Sequence, residues 1–372
     1  ITMAIKVMTV IARMNVGGPA KLIDFLDREL INSGFEHVLV TGYCGKNEID
    51  YLDSRKLIGK VLRLQKTQRR INLFYDLFSI FQLIKIINIE NPNIIHTHTA
   101  KAGVIGRIAK LLSYKKNIRV IHTFHGHLLY GYFGRFKIII FNLIERILAN
   151  LTDVFVAVSN SVKSDLQVKK IGLQSNWKVI YPGVEIDSNY HKKEFAKSPL
   201  RLLWIGRFSK IKNPLLAIQA FENISGTHDA NLVMIGGGEL FEMCKKYSQS
   251  KSLKIEFVGW SKDINSYLKE VDLLILTSLN EGMPLVILEA ATLSVPTLST
   301  NVGGVSEFIM DGDTGFLSET PVKKFTKKLD EILQKPEILE SVGINASKKV
   351  GSDFTMNQFC LRHIELYKSL IN

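Results

Sequence analysis

The stretch VDLLILTSLNEGMPLVILEA, residues 271–290, decides the fold because it runs from an apolar segment through a polar loop into a second apolar segment. The first segment is typical of a strand buried in a parallel sheet. Gly282 opens a turn, and Pro284 suits the first turn of a helix because its φ angle is fixed and it has no N–H to satisfy. The N–H groups from Leu285 onward point back into the loop, and such a helix end favours a phosphate. The stretch therefore predicts a strand, a loop and a helix arranged around an anionic ligand.

Two glutamates flank this loop and helix. Glu281 lies in the loop, and Glu289 lies one turn past Leu285 among apolar residues. A carboxylate in such surroundings costs several kcal/mol unless hydroxyls or a cation satisfy it. The ribose diol of a nucleotide supplies such hydroxyls, so the pattern favours a nucleotide ligand.

The motif Glu281-x7-Glu289, with Gly282 and Pro284 inside it, resembles the signature of retaining glycosyltransferases of the GT-B type. The likeness is greatest to family 4, which builds bacterial surface polysaccharides such as O-antigen and capsule, and it extends over nearly the whole chain. It implies an α/β fold of two doubly wound, Rossmann-like domains that face each other across a crevice, with a C-terminal helix that crosses back to the first domain. It also implies that Glu281 is a catalytic residue that contacts hydroxyls of the donor sugar. In this stretch the implied donor-binding residues are Gly282, Met283, Pro284, Leu285 and Glu289, the last of them on the ribose.

The alternation of strands and helices along both halves also predicts parallel, doubly wound sheets. A length of 372 residues fits two domains, with the ligand beyond the carboxyl ends of the strands. With roles taken from the resemblance, we expect an acceptor-binding domain over 1–181, a linker over 182–199, a donor-binding domain over 200–354 and a helix over 355–372. The strands are predicted near 4–12, 36–42, 93–98, 118–123, 153–158, 200–206, 231–236, 254–258, 272–277, 295–299 and 315–317. The clearest helices of the first half are predicted near 19–33, 72–90 and 100–113.

The positive charge of the chain is uneven. Residues 1–190 contain 26 Lys and Arg against 14 Asp and Glu, a net charge of +12, whereas residues 191–372 contain 22 against 21, a net charge of +1. A basic half indicates an acidic partner, but no nucleic-acid-binding motif accompanies it. An anionic membrane that carries a diphosphate-linked lipid fits better, since each Lys or Arg near such a surface contributes about 1 kcal/mol. The apolar and basic segment 128–137 suggests peripheral docking, and a merely soluble basic surface is the alternative.

Cysteine usage and hydropathy indicate the compartment. The chain contains three widely spaced cysteines, an odd number that suggests a reducing cytosol. No signal-peptide pattern precedes the first strand, and the longest uncharged apolar runs fall short of the roughly 18 residues that a transmembrane helix needs. We therefore expect a cytoplasmic protein, peripherally associated with the inner face of the cell membrane.

A glycine-containing loop, Arg13-Met-Asn-Val-Gly-Gly-Pro, follows the first predicted strand. Two glycines at such a turn let backbone approach a ligand where a Cβ would collide. The resemblance implies that this loop lies against the donor diphosphate and the acceptor, with Gly17 and Gly18 as donor contacts and Asn15 as an acceptor contact. A tight turn needed only for packing is the alternative.

Two cations follow the first strand of the second half, in Gly206-Arg-Phe-Ser-Lys-Ile-Lys212. Fixed cations aimed at the β-phosphate of a departing nucleoside diphosphate stabilise the transition state more than the ground state. The family motif Gly-Arg-x4-Lys matches Gly206, Arg207 and Lys212. The resemblance makes Gly206 a donor contact and the two cations catalytic residues, and solvated surface charge is the alternative.

Five histidines lie close together in the first half; they are His96, His98, His122, His125 and His127. No cysteine accompanies them, and the resembled enzymes need no metal for catalysis, so we expect neither a metal nor another cofactor. We expect the histidines at strand ends that line the crevice, with a purely structural role as the alternative for all except His125. His125 matches a catalytic family histidine near the donor sugar. His127 and Lys101 are predicted to bind the acceptor.

Two further glycine loops lie in the second half. Gly236-Gly-Gly-Glu239 resembles the loop that borders the nucleotide base, which makes Gly237, Gly238 and Glu239 expected donor contacts. The loop Asn301-Val-Gly-Gly follows a strand and opens a helix, and it is either a ligand loop or a packing turn.

Together these patterns predict a retaining glycosyltransferase of the hexosyltransferase type. It moves a sugar from a nucleotide-sugar donor, expected to be a UDP-sugar, to a polyprenyl-diphosphate-linked or other glycan acceptor in surface polysaccharide synthesis. Paired carboxylates also occur in glycosidases, but Arg207 and Lys212 have no purpose there without an anionic leaving group. The alternatives are a nucleotide-sugar epimerase resembling the UDP-GlcNAc 2-epimerases and a non-catalytic nucleotide-sugar-binding subunit.

Overall fold

The computed structural model describes residues 4–45, 48–67, 72–126, 135–173, 175–186, 199–261 and 263–371. The described chain divides into two compact units. The first contains the residues up to Pro182 together with the C-terminal helix from Met356, and the second contains Gly183–Thr355. Each unit has its own parallel sheet.

The sheet of the first unit contains seven strands within the described residues. They are β1 Lys6–Arg13, β2 Glu36–Gly42, β3 Lys60–Arg63, β4 Ile94–His98, β5 Arg119–Phe124, β6 Val154–Ala157 and β7 Asn176–Val179. Their order is β3-β2-β1-β4-β5-β6-β7, and every neighbouring pair is parallel. The order reverses at β1, so the carboxyl ends of β1 and β4 form a topological switch point, where ligands bind in open α/β sheets.

Helices connect these strands. They are α1 Gly18–Asn32, α2 Leu73–Glu90, α3 Ala100–Leu112, α4 Arg135–Ala149 and α5 Asn160–Val168, with a short 3-10 helix at Tyr51–Asp53. The start of α2 illustrates how the sequence sets a boundary, because the side chain of Asn72 accepts a hydrogen bond from the N–H of Tyr75 at 3.1 Å. Asn91 ends that helix in the left-handed conformation.

The second unit repeats the scheme with six strands in its described part. The strands are β8 Leu200–Ile205, β9 Ala230–Ile235, β10 Ile255–Gly259, β11 Leu273–Leu276, β12 Thr297–Thr300 and β13 Phe316–Ser318, in the order β10-β9-β8-β11-β12-β13. The helices are α6 Pro214–Ile224, α7 Phe241–Ser250, α8 Ile264–Glu270, α9 Leu285–Thr292, α10 Val305–Phe308, α11 Val322–Leu333 and α12 Ile338–Asp353. Its core is built around Trp204 and Phe208, which are almost fully buried.

The C-terminal helix, α13 Met356–Ile371, belongs to the first unit. It packs against α1. The hydroxyl of Tyr367 lies 2.6 Å from Nδ1 of His96, and Nε of Arg119 donates to the carbonyl of Leu370 at 3.3 Å. The last helix of the chain is therefore part of the core of the first unit.

The predicted fold class, two parallel Rossmann-like sheets with helices, is confirmed. β3 and β7 were not predicted, because each is a four-residue edge strand with partly exposed polar residues. Among the helices that the structure describes, none combines the length and apolar composition needed to cross a bilayer.

Candidate active site

The loops after β8 and β11 bring two of the predicted catalytic residues into contact. Nζ of Lys212, in the first loop, donates to Oε1 of Glu281, in the second. The hydroxyl of Ser278 donates to the same oxygen at 2.5 Å. Both side chains are largely buried, so water screens this ion pair less than it would screen a surface pair. The pair holds a cation and a carboxylate at the carboxyl edge of neighbouring strands.

Hydrogen bonds through Thr277 fix the loop after β8 against the loop after β11. The indole N–H of Trp204 donates to the hydroxyl of Thr277 at 2.9 Å, and that hydroxyl donates to the carbonyl of Asn213 at 2.9 Å. The N–H of Leu279 also donates to the carbonyl of Ile211 at 2.7 Å. A buried tryptophan therefore sets the spacing between Lys212 and Glu281, which is the kind of preorganisation that electrostatic catalysis requires.

The glycine loop after β9 packs against the loop after β8. Gly236 has a φ of +132°, and a Cβ there would lie 1.9 Å from the carbonyl oxygen of Gly206. Gly238 has a φ of +151°, and a Cβ there would lie 2.5 Å from the carbonyl oxygen of Phe208. The N–H of Phe208 donates to the carbonyl of Gly237 at 3.0 Å. Close backbone packing therefore requires glycine at these positions, whether or not the loop contacts a nucleotide.

The loop after β12, left open by the sequence as a ligand loop or a turn, supports the Glu281 loop. The N–H of Gly304 donates to the carbonyl of Gly282 at 3.0 Å, and the hydroxyl of Thr300 donates to the carbonyl of Ser278 at 2.5 Å. A packing role is therefore present at this turn.

Helix α9 begins one residue later than predicted, at Leu285, with Pro284 at the cap position. Met283 and Pro284 are buried, whereas Leu285 and Glu289 are partly exposed. Glu289 lies on the second turn of the helix, so its carboxylate and the first N–H groups of α9 belong to one short element. That arrangement suits a ligand with a phosphate and a hydroxylated ring.

Trp260 is a residue that the sequence reasoning missed. It follows β10 directly and is 57% exposed. Its indole packs on the glycine loop, since a Cβ on Gly237 would lie 2.5 Å from Nε1. An exposed tryptophan at the same sheet edge as Lys212 and Glu281 offers an aromatic face to a planar ligand. Its position one residue after Gly259 at a strand end is the signal that could have found it.

In the first unit, the predicted loop between β1 and α1 is paired with the segment that follows β2. The N–H of Val16 donates to the carbonyl of Ile49 at 2.9 Å, and Asn15 forms a single β-bridge with Asp50. Around Gly17 there is space, because the nearest atom to an added Cβ is the carbonyl oxygen of Asn15 at 3.8 Å. Backbone packing therefore does not account for Gly17, and the room beside it is open to a ligand.

Two of the predicted histidines form a pair at the ends of β4 and β5. Nδ1 of His98 lies 2.9 Å from Nε2 of His125, and the two rings stack with centroids 5.1 Å apart. Burial lowers the pKa of His125 to about 4, and it lowers the pKa of His98 well below its ordinary value. Both imidazoles are therefore neutral at pH 7, and His125 acts as a hydrogen-bonding group rather than as a cation.

The expectation that the other histidines line the ligand site at strand ends is wrong for His96 and His122. Both lie inside their strands and are fully buried. Nε2 of His96 lies 2.6 Å from the hydroxyl of Thr123, and Nδ1 of His122 lies 2.8 Å from that of Thr97. Burial lowers the pKa of each imidazole well below its ordinary value. These two residues are neutral members of the core, and each has a hydrogen-bond partner on at least one ring nitrogen.

Two family descriptions match consecutive parts of the chain. Residues 16–188 match Glycosyltransferase Family 4, and residues 186–349 match Glycosyl transferases group 1. The O-antigen biosynthesis glycosyltransferase WbnH of Escherichia coli is 31% identical over 303 residues, which cover 81% of this chain and 82% of the relative. This chain belongs to glycosyltransferase family 4.

Other similarities agree with that membership. The Escherichia coli protein named UDP-Gal:alpha-D-GlcNAc-diphosphoundecaprenol alpha-1,3-galactosyltransferase is 28% identical over 321 residues, covering 82% of each chain. The crystal structure of Anabaena HepE in complex with UDP and glucose has a TM-score of 0.79 at 16% identity and covers 98% of this chain and all of that one. At this identity the likeness to HepE supports the fold alone. The family 4 chain is thus a glycosyltransferase, and its relatives include proteins named for O-antigen and capsular polysaccharide biosynthesis.

The structure describes Asn15 and Lys101, two of the three predicted acceptor residues of this family 4 glycosyltransferase. Lys101 lies in the first turn of α3, where its Nζ is 2.6 Å from a carboxylate oxygen of Asp76 in the first turn of α2. His127 lies outside the described residues. Among the residues that are described, no group of three or more His, Cys, Asp or Glu side chains is arranged to hold a metal ion.

Proposed function

We propose that this family 4 enzyme transfers a sugar from a UDP-sugar to a lipid-linked glycan during surface polysaccharide synthesis, with retention of the anomeric configuration. The observation that carries the proposal is the contact between Lys212 and Glu281 at the carboxyl edge of β8 and β11. A cation and a carboxylate held side by side suit a ligand that presents a phosphate next to a hydroxylated ring.

The proposed chemistry uses these groups on the donor. Arg207 and Lys212 stabilise the negative charge that grows on the leaving diphosphate, a role for which fixed cations are effective. Glu281 accepts hydrogen bonds from hydroxyls of the sugar, and Glu289 accepts them from the ribose. The bond between the anomeric carbon and the phosphate oxygen breaks while the acceptor oxygen bonds to the same face of that carbon. The acceptor proton passes to the leaving phosphate oxygen, so the step balances without a separate base.

The nucleotide is proposed to run along the edge of the second sheet from β11 to β10. The sugar lies near Glu281, the diphosphate near Gly206, Arg207 and Lys212, and the base near the glycine loop and Trp260. The strand order β10-β9-β8-β11 supports the proposed positions of the sugar, the diphosphate and the base. Further donor contacts are proposed for Gly237, Gly238, Glu239, Gly282, Met283, Pro284 and Leu285.

One relative supports the choice of UDP. The Escherichia coli relative is named for a UDP-Gal donor and a diphosphoundecaprenol-linked acceptor. The α linkage in the name of that relative corresponds to retention, since the sugar of UDP-galactose is α-linked to phosphate. We extend these properties to the present chain as part of the proposal.

The acceptor is proposed to bind the first unit. Asn15, Lys101 and His127 are its proposed contacts, Gly17 and Gly18 approach the donor diphosphate, and His125 donates or accepts a hydrogen bond near the sugar as a neutral imidazole. The net charge of +12 on residues 1–190 suits a diphosphate-linked lipid in an anionic membrane. We therefore propose that the enzyme works at the inner face of the cell membrane as a peripheral protein.

The test is nucleotide release from UDP-, GDP- and ADP-sugars, with and without an extract of membrane lipids. Wild type is compared with Glu281→Ala and Lys212→Ala, and with the matched control Lys210→Ala, which removes an exposed cation from the same loop. We expect lipid-dependent release of UDP in wild type and in the control, and a loss of about 100-fold or more in the other two variants. Release from none of the donors, or an epimerised sugar formed without an acceptor, would reject the transferase proposal.

A further inference from the structure

Helix α4 exposes a row of large apolar side chains and buries one charged side chain, which is unusual for a helix on the surface of a globular protein. Its exposed residues include Ile139 at 64%, Leu143 at 56% and Ile147 at 59%, together with Ile140 and Ile144. These five side chains have the spacing i, i+1, i+4, i+5 and i+8, so they form a single stripe along the outer side of the helix.

The inner side of α4 carries Glu145, which is fully buried. Both of its carboxylate oxygens accept hydrogen bonds from one nitrogen of the buried Arg107 of α3 at 2.8 Å. A buried ion pair is weak evidence for stability, because desolvation costs about as much as the attraction returns. The exposed stripe is therefore a candidate surface for a partner.

Helix α2 has a second stripe with the same spacing. Leu73 is 84% exposed and Phe74 is 77% exposed, and Leu77, Phe78 and Phe81 continue the row. α3 packs against both α2 and α4. The two stripes therefore belong to the layer of helices on one side of the first sheet. We refer to the ten residues of the two stripes as the docking face.

The sequence segment that contains the docking face is strongly basic. Residues 63–149, which contain α2, α3 and α4, have 14 Lys and Arg against 3 Asp and Glu, a net charge of +11 out of +13 for the whole chain. Each of the three acids is already in an ion pair, Asp76 with Lys101, Glu90 with Lys60 and Glu145 with Arg107. Bulky apolar side chains thus lie in the most basic part of the protein.

We infer that the docking face inserts its apolar side chains into the boundary between the headgroups and the acyl chains of an anionic bilayer. Apolar burial and attraction of basic residues to anionic lipid act together in such an interface. A symmetric dimer through the same face would bring the segment of net charge +11 against its own copy, and that repulsion opposes a second copy as the occupant. The inference rests on the proposed function in that a lipid-linked acceptor gives the enzyme a reason to be at the membrane.

The test is co-sedimentation of the full chain with vesicles of phosphatidylglycerol and phosphatidylcholine, and with vesicles of phosphatidylcholine alone. The variant Ile140→Ser/Leu143→Ser/Ile147→Ser removes half-exposed apolar groups from α4. The matched control, Met243→Ser/Ile344→Ser/Leu361→Ser, removes exposed apolar groups elsewhere. We expect wild type and control to bind the anionic vesicles, and the α4 variant to partition at least about ten-fold less.

A second variant reverses four positive charges and should weaken the attraction to anionic lipid, so that it also no longer sediments with the vesicles. Its substitutions are Arg69→Glu, Arg70→Glu, Lys115→Glu and Lys116→Glu. Equal sedimentation of the α4 variant and wild type would overturn the inference. A wild type that binds no anionic vesicles would also overturn it, and a dimer that the α4 variant dissociates would assign the face to a second copy of the chain. UDP binding by each variant keeps this result separate from the proposed function, because a variant that binds UDP normally but no longer binds vesicles has lost docking alone.

Discussion

The two units of this glycosyltransferase share a parallel-sheet architecture but differ in charge at two pairs of neighbouring strand ends, those of β4 and β5 in the first unit and those of β8 and β11 in the second. In the first unit, the imidazoles of His98 and His125 are neutral, and a hydrogen bond joins them. In the second unit, Lys212 and Glu281 form an ion pair braced by Ser278. The ends of β4 and β5 thus offer neutral hydrogen-bonding groups, and the ends of β8 and β11 offer fixed charges.

The difference suggests that the two units contribute different kinds of group to the proposed transfer reaction. Fixed charges are worth most where charge develops, and in the proposed reaction it develops on the leaving diphosphate. In the role proposed for His125, a neutral imidazole adds no positive charge near an anomeric carbon that itself becomes positive. The net charge of the two halves, +12 against +1, has a separate purpose if the first half meets a membrane.

The largest expected effect comes from breaking the ion pair in the second unit. Lys212→Met and Glu281→Gln should each lower kcat/KM by about 100-fold to 1000-fold, because each removes a preorganised charge. The double variant should lose little more than the worse single variant, since the two residues act as one unit. Steady-state kinetics of the four proteins tests this. Losses that multiply would contradict a shared role for the pair.

The next largest effect is the pH dependence of the stability of the first unit. Burial lowers the pKa of His125 and His363 to about 4, from an ordinary value of 6.5. The unfolded chain therefore takes up protons first as the pH falls, so the folded first unit loses stability between about pH 6.5 and pH 4. The loss is on the order of 3 kcal/mol for a buried histidine such as His363.

Urea unfolding at pH 7 and pH 5, read by pulsed hydrogen exchange at one labelling pH, measures both units in the same sample. Peptides of the first unit should unfold at clearly lower urea at pH 5, with the peptides of the second unit as the internal reference. An equal shift in both units would break the comparison between the neutral and the charged strand ends.

The smallest of these effects concerns the base subsite. Trp260→Ala should weaken UDP binding about ten-fold, since stacking on an aromatic side chain contributes about 1–3 kcal/mol per base. Trp260→Phe should retain most of the affinity, and UDP should quench the fluorescence of wild type but not of this variant. The exposed Ile344→Ala serves as the matched control in calorimetric titration. Unchanged UDP affinity in Trp260→Ala would reject the proposed position of the base next to Trp260.

Much of the fold followed from local patterns. The segment around Leu276 and Leu285 was predicted within two residues, because an apolar run, a glycine turn and a proline leave few alternatives. β3 and β7 were missed because short edge strands bury too little to impose a pattern on the sequence. Partners distant in sequence were equally invisible. Lys212 and Glu281 are 69 positions apart, and His96 is 271 positions from Tyr367.

The motifs of the candidate site were recognised in the sequence, but the residues that hold its loops in place were not. Ser278 and Thr277 look like ordinary residues at the end of a strand, and only the packing of the loops after β8 and β11 gives them a purpose. The same holds for His96 and His122, whose spacing along the strands is that of site residues but whose surroundings are those of the core.

The proposed division between a donor-binding second unit and an acceptor-binding first unit is tested most directly by hydrogen exchange with and without UDP. We expect UDP alone to slow exchange in residues 206–213, 236–240 and 277–285 of the second unit, around the Lys212–Glu281 pair. Exchange in α2 and α4 should be unchanged by UDP. Slower exchange confined to the first unit, with none in those three segments, would contradict the account.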